Sequence, residues 1–312
     1  MSQDINRKRM WKKNRRGILN ALPFIAPGLL LVSIFVLYPM AFTFRIAFSD
    51  YQIVKKTITW LGMDNFVNVL TNPNNSFWYA FRNNILYAVI TTPCIIFLGM
   101  FFAYLINNLK KGKTVFKVGF YLPVITSWVI VGLVFQYMFN SGNRGLINYL
   151  IVDVLHLTKE YIPWLLREWS GNAAIWIMGI WKNTGWAMLI YTVALQGISK
   201  DLYEAASLDG ATSWQRFCHI VVPLLKPTTY FVLVNMIIGS FNVFIQVMLL
   251  TSGKPNGTTS VLQYLLYDKA FNQFKFGEAS AIGLMTAITI ILITVFLNRS
   301  LKLDTVDKEE TV

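Results

Sequence analysis

Six stretches of this chain run for about 20 residues with scarcely a charge, the length a helix needs to cross a hydrocarbon core at ~1.5 Å rise per residue. They cover approximately 19–44, 85–106, 118–139, 173–198, 229–250 and 279–297. The whole sequence is 55% hydrophobic, 15% aromatic and only 14% charged, with a mean hydropathy of +0.48, too apolar for an ordinary soluble domain. The fold class expected is therefore an all-α membrane protein of six transmembrane helices. The first run follows a basic head, as a secretory signal would, yet it is about twice the usual signal length and lacks a small-residue cleavage site, so it reads as a retained helix.

Lysine and arginine accumulate in cytoplasmic loops, which sets the orientation. Of the 28 basic residues, 17 fall in the segments sharing the N-terminal side: seven in the head, four in 107–117, three in 198–228 and three in the tail. Ten lie in the opposite loops, and Lys182 lies inside a span. Both termini are then cytoplasmic, with a basic tail at 1–18, a transmembrane domain at 19–299 and a second tail at 300–312. A basic head before a first span serves topology and anionic lipid, so the formal charge of +13 does not call for nucleic acid. Cys94 and Cys218 offer no disulfide framework, and with only His156 and His219 beside them no metal site is expected.

All 15 acidic residues fall outside the six runs. Ion-driven carriers place carboxylates or histidines within the membrane, and an intramembrane hydrolase needs a carboxylate pair, a metal motif or an activated nucleophile. With neither present, no catalytic residue is expected, and active transport would need energy from a partner. Gly112-Lys113-Thr114 matches the end of a phosphate-binding loop, but Asn107 stands where the first glycine belongs and the string follows a membrane helix rather than a strand.

Between the fourth and fifth runs lies a polar, helix-forming segment, 199–227. Asp201 and Glu204 have capping-box spacing, Gly210 can end that helix in a left-handed cap, and Thr212 with Gln215 opens a second helix that should stop before Pro223. Tyr203, Ala206 and Leu208 form an incomplete apolar stripe; Trp214, Phe217 and Val221 recur at helical spacing. Such a stripe can pack on the protein's own spans, lie in the lipid interface, or fill a groove in a partner. Within the spans, Asn183, Thr184 and Trp186, then Asn235, Ser240, Asn242 and Gln246, are polar or aromatic groups that should face protein or water. They can join helix to helix, or line a path for a sugar, whose hydroxyls suit amides and whose C–H faces suit rings. Lys182 can line that path or snorkel beside Trp181 to the interface.

The segment 204–227 resembles the signature loop of permease subunits in binding-protein-dependent ABC importers, through Glu204-Ala205-Ala206, Asp209-Gly210-Ala211, Phe217, Ile220, Pro223 and Pro227. Val222 replaces the usual leucine. The runs 113–123 (KTVFKVGFYLP), 145–148 (GLIN), 194–198 (ALQGI), 251–260 (TSGKPNGTTS) and 264–281 resemble the maltose-type carbohydrate branch in order and spacing. The resemblance implies a multi-pass protein of the bacterial cytoplasmic membrane, paired with a second permease, an ATPase dimer and an extracytoplasmic sugar-binding protein. ATP and Mg would bind at the ATPase and no cofactor at this chain. Coupling would fall to Glu204, Ala205, Ala206, Asp209, Gly210, Ala211, Trp214, Phe217, Ile220 and Pro223. Substrate contacts would fall on or near Gly179, Asn183, Trp186, Asn235, Gly239, Asn242 and Gln246. The competing readings are an importer for another polar solute, such as a polyol or glycerol phosphate, an ion-coupled carrier, and a membrane scaffold.

Overall fold

A computed structural model describes residues 23–73 and 76–300; the expected basic tails, and residues 19–22 of the first run, lie outside the described residues. Helix α1 (Pro23–Ala47) is apolar on every side and is buried only at Ile46 and Ala47. Most of its length packs on nothing within this chain, as suits a helix that faces lipid or a neighbouring subunit. A hairpin of β1 (Ser49–Gln52) and β2 (Thr57–Trp60), paired antiparallel, and the short α2 (Asp64–Thr71) follow. The Asn65 amide donates to the carbonyls of Ala47 and Ser49, both at 3.0 Å, fastening α2 to the end of α1.

The body consists of α3 (Phe77–Asn108), α4 (Lys113–Ile125), α5 (Trp128–Met138), a short α6 (Leu146–Asn148) running into a π-turn at Tyr149–Val154, and α7 (Glu168–Leu195). Then come α8 (Lys200–Leu208), α9 (Ser213–Leu224), α10 (Lys226–Ser240), α11 (Ile245–Leu250), α12 (Leu262–Tyr267) and α13 (Phe276–Ser300). Three helices, α1, α3 and α13, are each long and apolar enough to cross a bilayer. Two bent pairs, α4 with α5 and α9 with α10, raise that to as many as five. Helix α7 is 28 residues long and sits at the centre, with Ala187, Met188 and Tyr191 fully buried against Ile95, Ala103 and Phe217.

The third apolar run, expected as one helix, is two helices meeting at 93°. Pro123 removes a backbone donor near the end of α4, Thr126 and Ser127 are extended, and the Ser127 hydroxyl oxygen accepts from the Val129 N–H at 3.3 Å to open α5. Such a break strands carbonyls where water is scarce. Lys182 meets them. Its ammonium donates to the carbonyl oxygens of Pro123 (2.7 Å), Val124 (3.1 Å) and Thr126 (2.6 Å), and lies 4.8 Å from the centre of the Trp128 ring. Being only 4% exposed, Lys182 neither snorkels to the interface nor stands as a free charge in a path. It is a cation held at the negative end of a broken helix.

The fifth run is broken as well, α10 ending at Ser240 and α11 beginning at Ile245. Asn84 ties the end of α10 to the start of α12, its amide nitrogen donating to the Ser240 carbonyl at 2.7 Å and its amide oxygen accepting from the Leu262 N–H at 2.8 Å. The buried Asn148 does similar work in the loop after α5, donating to the carbonyls of Asn140, Gly142 and Ile162 and accepting from the Ile162 and Trp164 N–H groups. Glu278, in the first turn of α13, is paired with Lys269 at 2.7 Å and Lys275 at 3.1 Å and accepts from Asn68 at 2.6 Å. That cluster ties α2 to the junction between α12 and α13.

Lys182→Met keeps the length of the side chain and removes the three donors. We expect it to destabilise the folded protein by about 2–4 kcal/mol, read as a lower midpoint of thermal unfolding in detergent, with Lys182→Arg recovering part of the loss. An unchanged midpoint for the methionine variant would contradict the capping role. Asn84→Leu strands one acceptor and one donor and should lower the same midpoint by a comparable amount, about 2–4 kcal/mol.

Candidate functional site

Two adjoining cavities, of 450 and 290 Å³, open among α3, α5, α7 and α10 and share Trp128, Asn183 and Met236. Of the residues expected in the solute path, all but Gly179 line one or both. Asn183, Gly239, Asn242 and Gln246 face the larger, and Asn183, Trp186 and Asn235 the smaller. Asn183 and Asn235 stand on α7 and α10 and Asn242 in the turn after α10, and each spends one N–H on the carbonyl four residues back: Asn183 on Gly179 (2.9 Å), Asn235 on Phe231 (2.8 Å) and Asn242 on Ile238 (3.1 Å). This fixes each amide while leaving its oxygen and second N–H directed away from its own helix. Gln246 accepts from the Phe244 N–H at 3.2 Å and so caps the start of α11 at the cavity edge. Trp186 stacks on Phe231, ring centres 6.3 Å apart.

Gly179 does not line either cavity; a Cβ there would overlap the Tyr87 hydroxyl, so this glycine admits a neighbouring helix. Sequence reading missed Tyr87, Thr91, Trp128 and Gln263, which complete the larger cavity. Tyr87 and Thr91 are four residues apart on one face of α3, and Trp128 follows the break that apolarity alone concealed. The lining thus offers amide donors and acceptors beside aromatic faces. Among the described residues Lys182 is the one cation on it, and it gives all three N–H bonds to backbone carbonyls. Among the described residues no three or more of His, Cys, Asp and Glu gather where they could hold a metal.

The second region is the pair α8 and α9. Helix α8 opens two residues earlier than the Asp201–Glu204 spacing implied, because Ser199 is the N-cap and accepts from the Asp201 N–H at 3.3 Å. At its end Gly210 has φ +74°, the Gly210 N–H donates to the Ser207 carbonyl and the Ala211 N–H to that of Ala206, which is a Schellman closure. The Thr212–Gln215 capping box forms as expected. Pro223 does not stop α9: a π-turn at Phe217–Val221 shifts the hydrogen bonding by one residue, and the helix runs on to Leu224 before bending 71° into α10.

Burial divides the expected coupling residues. Phe217 is buried against Tyr104 and Phe101, and Val221 lies beside it in the same core. Ala206, Ala211 and Ile220 are half-buried, while Glu204, Ala205, Asp209, Gly210, Trp214 and Pro223 are exposed. Leu208 is 89% exposed at the tip. Phe217 and Val221 of the α9 stripe therefore pack on the protein's own spans, while Trp214 and the turn of the pair are presented outward. Arg216, absent from the expected set, donates to the hydroxyls of Ser207 (3.0 Å) and Ser213 (3.2 Å) and staples one helix to the other. The Tyr104 hydroxyl fastens the pair to α3 through the Ser213 carbonyl at 2.9 Å.

Residues 95–303 match the family described as "Binding-protein-dependent transport system inner membrane component". The chain is 31% identical over 277 residues to the probable ABC transporter permease protein YurN of Bacillus subtilis, covering 88% of this chain and 92% of that protein. It is 29% identical to the lactose transport system permease protein LacF of Rhizobium radiobacter, covering 88% and 92%. With the arabinooligosaccharides transport system permease protein AraP of Halalkalibacterium halodurans it shares 28% identity, over 87% and 84%. Its fold matches a crystal structure of a bacterial ABC transporter involved in the import of alginate, an acidic polysaccharide, with a TM-score of 0.80 at 24% identity, covering 95% of this chain and 99% of that one. The chain belongs to the binding-protein-dependent transport system inner membrane components, and is a multi-pass, non-catalytic permease subunit of an ABC importer.

Proposed function

We propose that this permease carries a neutral sugar, of oligosaccharide class, through the paired cavities on α3, α5, α7 and α10. The observation that carries the reading is the lining itself: Asn183, Asn235 and Asn242 with spare amide groups, beside Trp128 and Trp186, and no cation with a donor to spare. Hydroxyls bond to such amides and sugar C–H faces lie on such rings. The similarity to LacF and AraP, a lactose and an arabinooligosaccharide permease, supports the same solute class. A glycerol phosphate would need a free positive group, and Lys182 is committed to the break after α4.

In this reading the chain has six spans, counting α7 with the three straight helices and two bent pairs, and both termini lie in the cytoplasm with the α8–α9 pair. A second permease subunit supplies the other half of the path, and an extracytoplasmic binding protein delivers the sugar. The α8–α9 pair docks on a separate ATPase dimer, where ATP and Mg bind. ATPase closure would move the pair and switch the cavities between the two faces. The outward presentation of Glu204, Asp209, Gly210 and Trp214 supports docking there, since all four are exposed at the turn of the pair.

Gly210→Pro cannot adopt φ +74°, because proline holds φ near −65°. Uptake of radiolabelled sugar by cells carrying that variant should fall to background while membrane levels of the protein hold; normal uptake would sink the docking role. Asn242→Ala removes one amide from the cavity wall. We expect a rise of about tenfold in the KM for uptake, equivalent to one hydrogen bond, with ATPase assembly intact on co-purification. Wild-type uptake kinetics would take Asn242 out of the site.

A further inference from the structure

We propose that the groove between α3, α4 and α7 binds one anionic phospholipid, with an acyl chain along the groove and the phosphate among the lysines at the head of α4. The groove encloses 780 Å³, and its walls are hydrocarbon from three helices, including Leu98 and Phe102 of α3, Phe116 and Phe120 of α4, and Ile180 of α7. It is separate from the solute cavities, and the inference does not depend on which solute is carried.

Gly119 lies on the floor of this groove. An interior helical glycine is less favourable than alanine, and glycines are usually kept where a neighbour comes too close for a Cβ. Here a Cβ would meet nothing within 4 Å. The chain's own packing does not require the glycine, so the space it leaves is room for something outside the chain.

Charge identifies the occupant. The groove begins at Val115 and Phe116, and Lys110, Lys111, Lys113 and Lys117 stand at the same end. Lys110 and Lys111 are exposed; Lys113 and Lys117 are half-buried, the Lys113 ammonium donating one bond to the Asn107 carbonyl at 2.6 Å. Among the described residues no carboxylate forms an ion pair with any of the four. An apolar slot ending in a cluster of cations matches a ligand with a hydrocarbon tail and an anionic head. A zwitterionic lipid fills the slot but gains little from the cluster. A helix of another membrane subunit would have to bring acidic side chains to that one point.

The test uses the complete transporter in phosphatidylcholine vesicles doped with either phosphatidylglycerol or phosphatidylcholine carrying a photoreactive acyl chain, with adducts mapped by mass spectrometry. We expect labelling of residues 113–125 by the anionic probe to exceed that by the zwitterionic probe about tenfold. Combined Lys110→Gln, Lys111→Gln and Lys117→Gln should bring the two probes to parity, while Gly119→Phe, which fills the slot, should abolish labelling by both. Equal labelling of the wild-type protein by the two probes would overturn the proposal. So would a photoreactive residue at position 119 that crosslinks to another membrane subunit and not to lipid. The lysine variant leaves the groove walls untouched, so it decides the matter even if Gly119→Phe fails to assemble.

Discussion

Within a bilayer a backbone carbonyl or N–H without a partner costs several kcal/mol, because no water is at hand to replace the missing bond. An unbroken helix meets that constraint by itself, and α1, α3 and α13 do so. Elsewhere in this protein helices break, and three of the breaks and loops are held by one polar side chain each. Lys182 supplies three donors to the end of α4, Asn84 joins the end of α10 to the start of α12, and Asn148 holds the loop that follows α5. Without them the bends that open the cavities would be too costly to keep.

What could be read from the sequence divides along the same line. The apolar runs were legible because helix length and hydrocarbon thickness are matched by counting residues. The Thr212–Gln215 box and the left-handed Gly210 were legible because both groups of each contact lie within a few residues. The start of α8 was misjudged by two residues, since Ser199 and Asp201 are both competent caps and only geometry chooses between them. Pro223 was taken as a stop because a sequence does not reveal the π-turn that lets the helix pass. The bends themselves were hidden: Lys182 lies 56 to 59 residues from the carbonyls it caps, and Asn84 lies 156 from Ser240. Pattern reading sees neighbours along the chain, and these partners are neighbours only in space.

The candidate path was legible for a different reason. Amides are uncommon enough in apolar runs that each needs an explanation, and family resemblance selected among them. The aromatic and hydroxyl groups that complete the walls, Tyr87, Thr91 and Trp128, carried no such signal, because tyrosine, threonine and tryptophan are unremarkable in a membrane helix. Lys182 shows the hazard in the opposite direction, since a charge inside a span invites a functional role while its three bonds are all structural.

The 71° bend at Leu225 gives the α8–α9 pair a mechanical character. Arg216 and the Schellman turn make the pair a single stiff body, Phe217 and Val221 seat its inner end, and Leu225 joins it to α10, which carries Asn235 and Gly239 on the cavity wall. Two rigid arms set at an angle about a seated bearing form a crank. In the proposed docking, a push on the outer arm would turn the inner one, so that the orientation of the amides in the cavity would follow the position of a helix tip outside the cavity wall.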